Sequence, residues 1–183
     1  MRLPMSLMIR GRRSLLLTGA LLLGAVGARA QTTKGGKIEP TWLRADAASK
    51  TADFKLVAGL TDANGGMNFN GFSQGGLVLT VPHGWNVVLH FKNEDPNLPH
   101  SVEVIVEAPA VPSGPVPPAF EHAATGRLEQ GFPSGQSADL RFVAGKSGSF
   151  LIFCAVPGHG AAGMWIRLAV SGSADKPALA TAP

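Results

Sequence analysis

The stretch from Cys154 to Met164 reads Cys-Ala-Val-Pro-Gly-His-Gly-Ala-Ala-Gly-Met, with the histidine at His159. It places a thiolate, an imidazole and a thioether in one short loop, and soft transition metals prefer such ligands. Cys154 is also the only cysteine of the chain. It cannot form an intramolecular disulfide, and metal ligation would give this unpaired thiol a role.

Side chains alternate between the two faces of a strand, and this alternation indicates a second imidazole. In a predicted strand over residues 100–107, His100 lies on the inward apolar face and Ser101 on the opposite face. Cys154 ends one apolar strand and Met164 begins another, so all three candidate ligands project toward the same buried side. His159, on the Pro-Gly turn, would close the site from outside. The inward faces also carry Val102, Val104, Val106, Phe150, Ile152, Ile166, Leu168 and Val170.

A plane of two imidazoles and one thiolate, with a weak axial thioether, is the ligand set of blue-copper electron-transfer sites. Zinc suits this set less well, because structural zinc sites use four strong donors and catalytic ones keep an open position. Cys154 and His159 could alternatively act as a nucleophile and its base. That interpretation leaves His100 and Met164 without a role, so the pattern favours copper.

Six short motifs of the chain are informative together. They are Cys154-x4-His159-x4-Met164, Leu98-Pro99-His100-Ser101, Val156-Pro157-Gly158-His159, Gly163-Met164-Trp165, Met67-Asn68-Phe69-Asn70-Gly71 and Val81-Pro82-His83-Gly84-Trp85-Asn86-Val87. These motifs resemble the cupredoxins, and most closely the sulfocyanins, over residues 54–170, and the ligand-loop spacing is also similar to that of rusticyanin. The resemblance implies an all-β, Greek-key β-sandwich holding one type 1 copper, with His100, Cys154, His159 and Met164 as ligands.

Two further expectations concern the surroundings of the ligands. Ser101 stands where cupredoxins commonly carry Asn or Ser, and its hydroxyl could bond the backbone of the Cys154 loop; the alternative is an ordinary solvated serine. Residues 108–136 are rich in Pro and Gly and fall where cupredoxins carry a variable insertion, which we expect to cover one edge of the sandwich. The binuclear copper domain of cytochrome oxidase is excluded, because it needs two cysteines.

The chain divides into four segments. Residues 1–30 have the basic start, apolar stretch and Ala-Arg-Ala ending of an export signal, and the paired arginines Arg12 and Arg13 also fit a twin-arginine signal. Residues 31–51 read as a linker with a short helix over 42–50, capped by Thr41. Residues 52–171 form the predicted cupredoxin domain, and residues 172–183 a disordered tail.

Short apolar segments separated by turn residues predict about eight strands in this domain. Asn64-Gly65-Gly66 and Gln74-Gly75-Gly76 supply positions where a positive φ costs little. The predicted strands span residues 54–59, 67–72, 77–81, 85–92, 100–107, 138–143, 149–154 and 164–171.

Composition limits the choice of partners. Residues 1–30 contain five arginines and no acidic residue, so the remaining 153 residues carry 11 Lys and Arg against 12 Asp and Glu, a net charge of −1. Without a basic patch, nucleic-acid binding has no support. We expect an exported, periplasmic or extracytoplasmic monomer, membrane-associated only if the leader is retained.

The expected function is that of an electron carrier and not of an enzyme. It would shuttle single electrons between redox proteins, a cytochrome or an oxidase, docking near His159, in a respiratory chain. The alternative is a copper reservoir or sensor without electron-transfer duty. A copper enzyme would need an open copper position or a second copper site, and the sequence indicates neither.

Overall fold

The computed structural model describes residues 36–183, so the predicted export signal and the first residues of the linker lie outside the described residues. Nine strands form two sheets, ordered β1-β2-β4-β6 and β5-β7-β8-β3-β9. Short 3-10 turns occupy Pro40–Trp42 and Ala63–Gly66. The strands are β1 (Leu43–Asp46), β2 (Thr51–Ala58), β3 (Leu77–Pro82), β4 (Asn86–Asn93), β5 (Glu103–Val106), β6 (Ser137–Val143), β7 (Gly148–Phe153), β8 (Trp165–Ser171) and β9 (Ala178–Thr181).

Alternating apolar side chains from both sheets form the core. The Phe120 ring contacts Phe142 of β6 and Phe150 of β7, at centroid distances of 5.2 and 4.7 Å, and so connects the two sheets. Alternation is regular in β8, where Ile166, Leu168 and Val170 are buried and the intervening residues are partly exposed. The all-β sandwich predicted from the sequence is thereby confirmed. No helix in the described part of the chain is long and apolar enough to cross a membrane.

Two predictions at the ends of the domain were wrong. The expected helix over 42–50 is a 3-10 turn followed by β1, which pairs antiparallel with β2 from Leu43 opposite Phe54. Pairing along β2 outweighs the helix propensity of the alanines. The expected disordered tail contains β9, which pairs with β3 and packs Leu179 against the core. A short apolar segment can order itself where a strand edge offers free backbone groups.

Segment 67–72 is not the predicted strand. It makes only isolated bridges, from Phe69 to Ala58 and Phe72. The side chain of Asn70 takes the place of the predicted strand beside β2. Its Oδ1 accepts a hydrogen bond from the amide of Val57 at 2.9 Å, and its Nδ2 donates to the carbonyl of Lys55 at 2.9 Å. A side-chain amide thus replaces the backbone of a neighbouring strand, which period-two patterning does not reveal.

Residues 108–136 cover the free edge of β5, as expected. The Ala119 amide donates to the Val104 carbonyl at 2.8 Å, and the Val104 amide donates to the Ala123 carbonyl at 2.9 Å. The outer face of β5 is therefore buried as well, and Glu103 is fully inaccessible. The segment forms a second, smaller core around Ile105, Leu151, Phe153 and Ala155.

Candidate metal centre

His100, Cys154 and His159 converge at one end of the sandwich. Cys154 Sγ lies 3.8 Å from Nδ1 of His100 and 3.6 Å from Nδ1 of His159, and the two Nδ1 atoms are 3.2 Å apart. His100 and Cys154 are fully buried, whereas His159 is half-buried. Three of the four predicted ligands therefore face one another, with one imidazole reaching the surface.

The spacing of these three atoms fits a single metal ion. A point equidistant from all three lies about 2 Å from each, close to the ~2.0–2.3 Å bonds that a first-row metal such as zinc makes to imidazole and thiolate. Both imidazoles present the same nitrogen, Nδ1, to this point. The donor set therefore fits a metal that binds two imidazoles and one thiolate in a plane.

The ligand loop folds back on itself, which brings Met164 beside the cluster. The Cys154 amide donates to the Met164 carbonyl at 3.0 Å, and the Met164 amide donates to the His159 carbonyl at 3.0 Å. Met164 is fully buried. Its role as an axial ligand stays a prediction.

Gly160 has no Cβ, which lets the ligand loop close tightly. A Cβ there would lie 2.6 Å from Cδ2 of Phe153, 3.0 Å from the carbonyl oxygen of Pro112 and 3.1 Å from that of Cys154. Two of these neighbours are backbone atoms, which cannot rotate away. A larger residue at this position would therefore strain the closed loop.

Ser101 ties the thiolate to the loop, as the sequence suggested. The Ser101 amide lies 3.4 Å from Cys154 Sγ and donates to it. Its hydroxyl accepts a bond from the Ala155 amide at 3.2 Å and donates to the Leu128 carbonyl at 2.8 Å. Ser101 is fully buried, so the alternative of a solvated serine is wrong.

Asp95 supports His100 and was not identified from the sequence. Its Oδ2 lies 3.1 Å from Nε2 of His100, the nitrogen that faces away from the cluster. Asn93 holds the same loop, since its Nδ2 donates to the carbonyls of Leu98 and Phe132 at 2.9 and 2.8 Å. The order Asn-x-Asp-x4-His is visible in the sequence, but no period relates these positions.

Burial controls the protonation of the cluster. It raises the pKa of the Cys154 thiol, against the lowering effect of the hydrogen bonds from Ser101. It lowers the pKa of His100, against the opposing effect of Asp95, and it lowers the pKa of His159, which the neighbouring His100 lowers further. These changes favour a neutral thiol and two neutral imidazoles, and imidazoles must be neutral to bind a metal.

The pKa of Asp95 changes in the opposite direction to that expected from its burial. Burial would raise this pKa, but hydrogen bonds from Asn97, His100 and Leu98 outweigh it and lower the pKa below its ordinary value. The carboxylate therefore stays charged beside the cluster.

The other three histidines lie outside the cluster, as predicted. His83 and His122 are exposed, and Nε2 of His83 bonds the Gly145 carbonyl at 3.0 Å. His90 lies on the outer face of β4 between Asp53 and Asp139, at 3.2 and 2.9 Å. These contacts are surface pairs rather than parts of a metal site.

This chain is similar to known proteins in sequence and in fold. Residues 39–181 match the family model for the sulfocyanin (SoxE) domain. A sulfocyanin of Sulfolobus acidocaldarius is 28% identical over 141 residues, covering 70% of this chain and 68% of that protein. Crystal structures of rusticyanin variants share 20% identity at a TM-score of 0.51, covering 76% of this chain and 88% of theirs. Reduced auracyanin of Roseiflexus castenholzii shares 23% identity at a TM-score of 0.47, covering 67% of this chain and 98% of its own.

The rusticyanin similarity supports the β-sandwich fold, and the sulfocyanin family model matches most of the chain. The donor set of two imidazoles and a thiolate agrees with the one type 1 copper of this family. This chain belongs to the sulfocyanin family.

Proposed function

We propose that this protein is an exported blue-copper carrier that passes single electrons between redox proteins of a respiratory chain, with His100, Cys154, His159 and Met164 as its copper ligands. The observation that supports this most strongly is the convergence of Nδ1, Nδ1 and Sγ within 3.2–3.8 Å of one another in a largely buried site. Bound copper would supply the one-electron Cu(II)/Cu(I) couple. The basic start and apolar stretch of residues 1–30 support export to the periplasm or another extracytoplasmic space.

The chain's own contribution is to hold the ligands still and keep water away. Cys154 and His100 are fully buried, and both are held by backbone hydrogen bonds, Cys154 to Met164 and His100 to Phe132. A fixed ligand geometry limits the rearrangement that accompanies each change of oxidation state. A buried thiol with a raised pKa is also a poor nucleophile, which supports a carrier over an enzyme built on Cys154.

The partially exposed edge of His159 is the proposed port for electrons. Pro157, Ala161 and Ala162 around it are exposed, whereas Val156 packs into the core. A cytochrome or an oxidase could approach the His159 edge across these small side chains. The patch is uncharged, so docking there should depend weakly on salt.

The copper assignment is tested by loading the protein with Cu(II) and recording its visible absorption and electron paramagnetic resonance spectra beside those of Cys154→Ser. We expect an intense thiolate-to-copper band and narrow copper hyperfine splitting, both lost in the variant. A weak band with wide splitting would overturn the proposal. Rapid, reversible release of copper to a chelator would instead favour a reservoir. Export is tested separately: mass spectrometry of the exported protein should show a mature chain beginning at Gln31.

The electron port is tested by Ala161→Glu, with Val143→Glu as the matched control. Val143 is 53% exposed on β6, in the other sheet, so its replacement adds the same charge away from the port. We expect Ala161→Glu to slow electron exchange with ferrocytochrome c and to leave the copper spectrum unchanged, while Val143→Glu alters neither. Equal exchange rates in the two variants would contradict docking at His159.

A further inference from the structure

We propose that Asp95 is a positioning residue for the copper centre: it holds His100 in the tautomer whose Nδ1 is free to bind copper, and its charge favours Cu(II) over Cu(I). The inference rests on the proposed function for its effect on copper, whereas the tautomer can be measured without metal. Nothing in the ligand motif requires an acidic residue at this position.

The first step is the direction of the hydrogen bond between the two side chains. Oδ2 of Asp95 lies 3.1 Å from Nε2 of His100, and the two side chains are 4% and 0% exposed. An ionised carboxylate only accepts hydrogen bonds, so Nε2 must carry the proton. A neutral imidazole has a single N–H, which leaves Nδ1 of His100 with a free lone pair, 3.8 Å from Cys154 Sγ.

The second step is that Asp95 itself is an acceptor at both oxygens. Oδ1 accepts bonds from the amides of Asn97 and Leu98 at 2.8 and 3.0 Å, and Oδ2 accepts from His100. The two backbone N–H groups at Oδ1 favour the charged form of this carboxyl group by themselves, without counting the bond to His100. Shaping the loop uses only Oδ1, so Oδ2 remains available to orient His100.

The third step is that the carboxylate cannot move away. Asn93 Oδ1 accepts a bond from the Asp95 amide at 2.9 Å. Gly59 and Gly66 pack against Asp95 so closely that a Cβ at either would overlap it, and both have a positive φ. Asp95 is therefore fixed from both sides. Carboxylates that orient metal-binding histidines in this way also raise the basicity of the ligand and strengthen metal binding.

Asp95→Asn separates the two roles of the side chain. Asparagine is nearly the same size, and its oxygen can keep the bonds to Asn97 and Leu98. Its amide nitrogen would then face Nε2 of His100 and donate to it, which forces the ring proton to Nδ1, the copper-binding atom. A purely structural role for Asp95 predicts no change of tautomer.

The test begins with ¹⁵N NMR of the histidine rings in the metal-free protein. We expect His100 to carry its proton on Nε2 in the wild type and on Nδ1 in Asp95→Asn. An Nδ1–H tautomer in the wild type would overturn the inference even if the variant does not fold. An unchanged tautomer in a folded Asp95→Asn would overturn it as well.

The second measurement is the reduction potential of the copper-loaded protein by spectroelectrochemistry. Losing the charge and the orienting bond should weaken Cu(II) binding about tenfold more than Cu(I) binding, which raises a one-electron potential by about 59 mV. Asp62→Asn is the control, because Asp62 is exposed and lines one surface groove together with Asp95, but does not hydrogen-bond any of the proposed copper ligands. Equal potentials in the two variants would refute the effect on copper. A wild type without the thiolate-to-copper band would instead overturn the proposed function, so the two failures are distinguishable.

Discussion

Removing the hydroxyl of Ser101 tests whether hydrogen bonds beside the thiolate hold the site together. In Ser101→Ala the buried Ala155 amide loses its acceptor at 3.2 Å and the Leu128 carbonyl loses its donor at 2.8 Å. An orphaned buried amide costs about 1–3 kcal/mol, and the second lost bond adds roughly 0.5–1.5 kcal/mol. We expect the free energy of unfolding to fall by about 2–4 kcal/mol.

The assay is urea unfolding of the metal-free protein, so that copper binding does not contribute to the measured stability. Ser149→Ala is the control, because Ser149 is an exposed serine on β7 and its replacement should change stability by less than about 0.5 kcal/mol. If Ser101→Ala matched this control, the two hydrogen bonds of the hydroxyl would contribute nothing, and the reasoning from burial would be refuted.

Three further predictions concern stability. Glu103 is buried with Oε1 unpartnered among the described residues, and burial raises its pKa above the ordinary 4.5. Between the ordinary pKa and the raised one, the folded state binds more protons than the unfolded state. The free energy of unfolding should therefore fall as pH rises through this range, by about 1.4 kcal/mol per unit of raised pKa. Glu103→Gln should remove this slope in urea titrations between about pH 4 and pH 8, and an unchanged slope would contradict the assignment. Gly160→Ala should lose about 1–3 kcal/mol through overlap with Phe153, whereas Gly145→Ala, with no heavy atom closer than 3.9 Å, should lose little; equal losses would argue against a tight loop. Deleting residues 177–183 removes β9 from the edge of β3 and should cost about 1–2 kcal/mol in thermal unfolding, and no loss would mean that the strand adds nothing.

The inward-facing ligands could be predicted because strands have a fixed period. His100 and Cys154 occupy the apolar positions of their predicted strands, and both are fully buried. The turn with His159 follows from Pro157 and Gly158, and the structure gives Gly158 a positive φ of 86°. Local chemistry was enough to place these residues at one site.

Other features depend on contacts between distant segments, and no local pattern reveals them. Strand β1 forms because β2 offers an edge, although its sequence favours a helix, and β9 forms because β3 does. Asp95 reaches His100 only because the loop after β4 folds back on itself, held by Asn93. Each of these requires knowing which backbone groups remain free in the folded state.

The segment over residues 108–136 holds the ligand segments through main-chain groups. Three of its residues bond the ligand segments through main-chain groups. The Leu128 carbonyl accepts from Ser101 Oγ at 2.8 Å, Phe132 exchanges backbone bonds with His100 at 2.7 and 3.2 Å, and the Ser113 carbonyl accepts from the Gly158 amide at 2.7 Å. Because every residue has a carbonyl and nearly every residue an amide, these contacts do not depend on side-chain identity. At Leu128, Phe132 and Ser113, a different side chain would leave these main-chain bonds to the ligand segments in place. The rigidity that an electron carrier needs would then come partly from a segment that contains none of the proposed ligands.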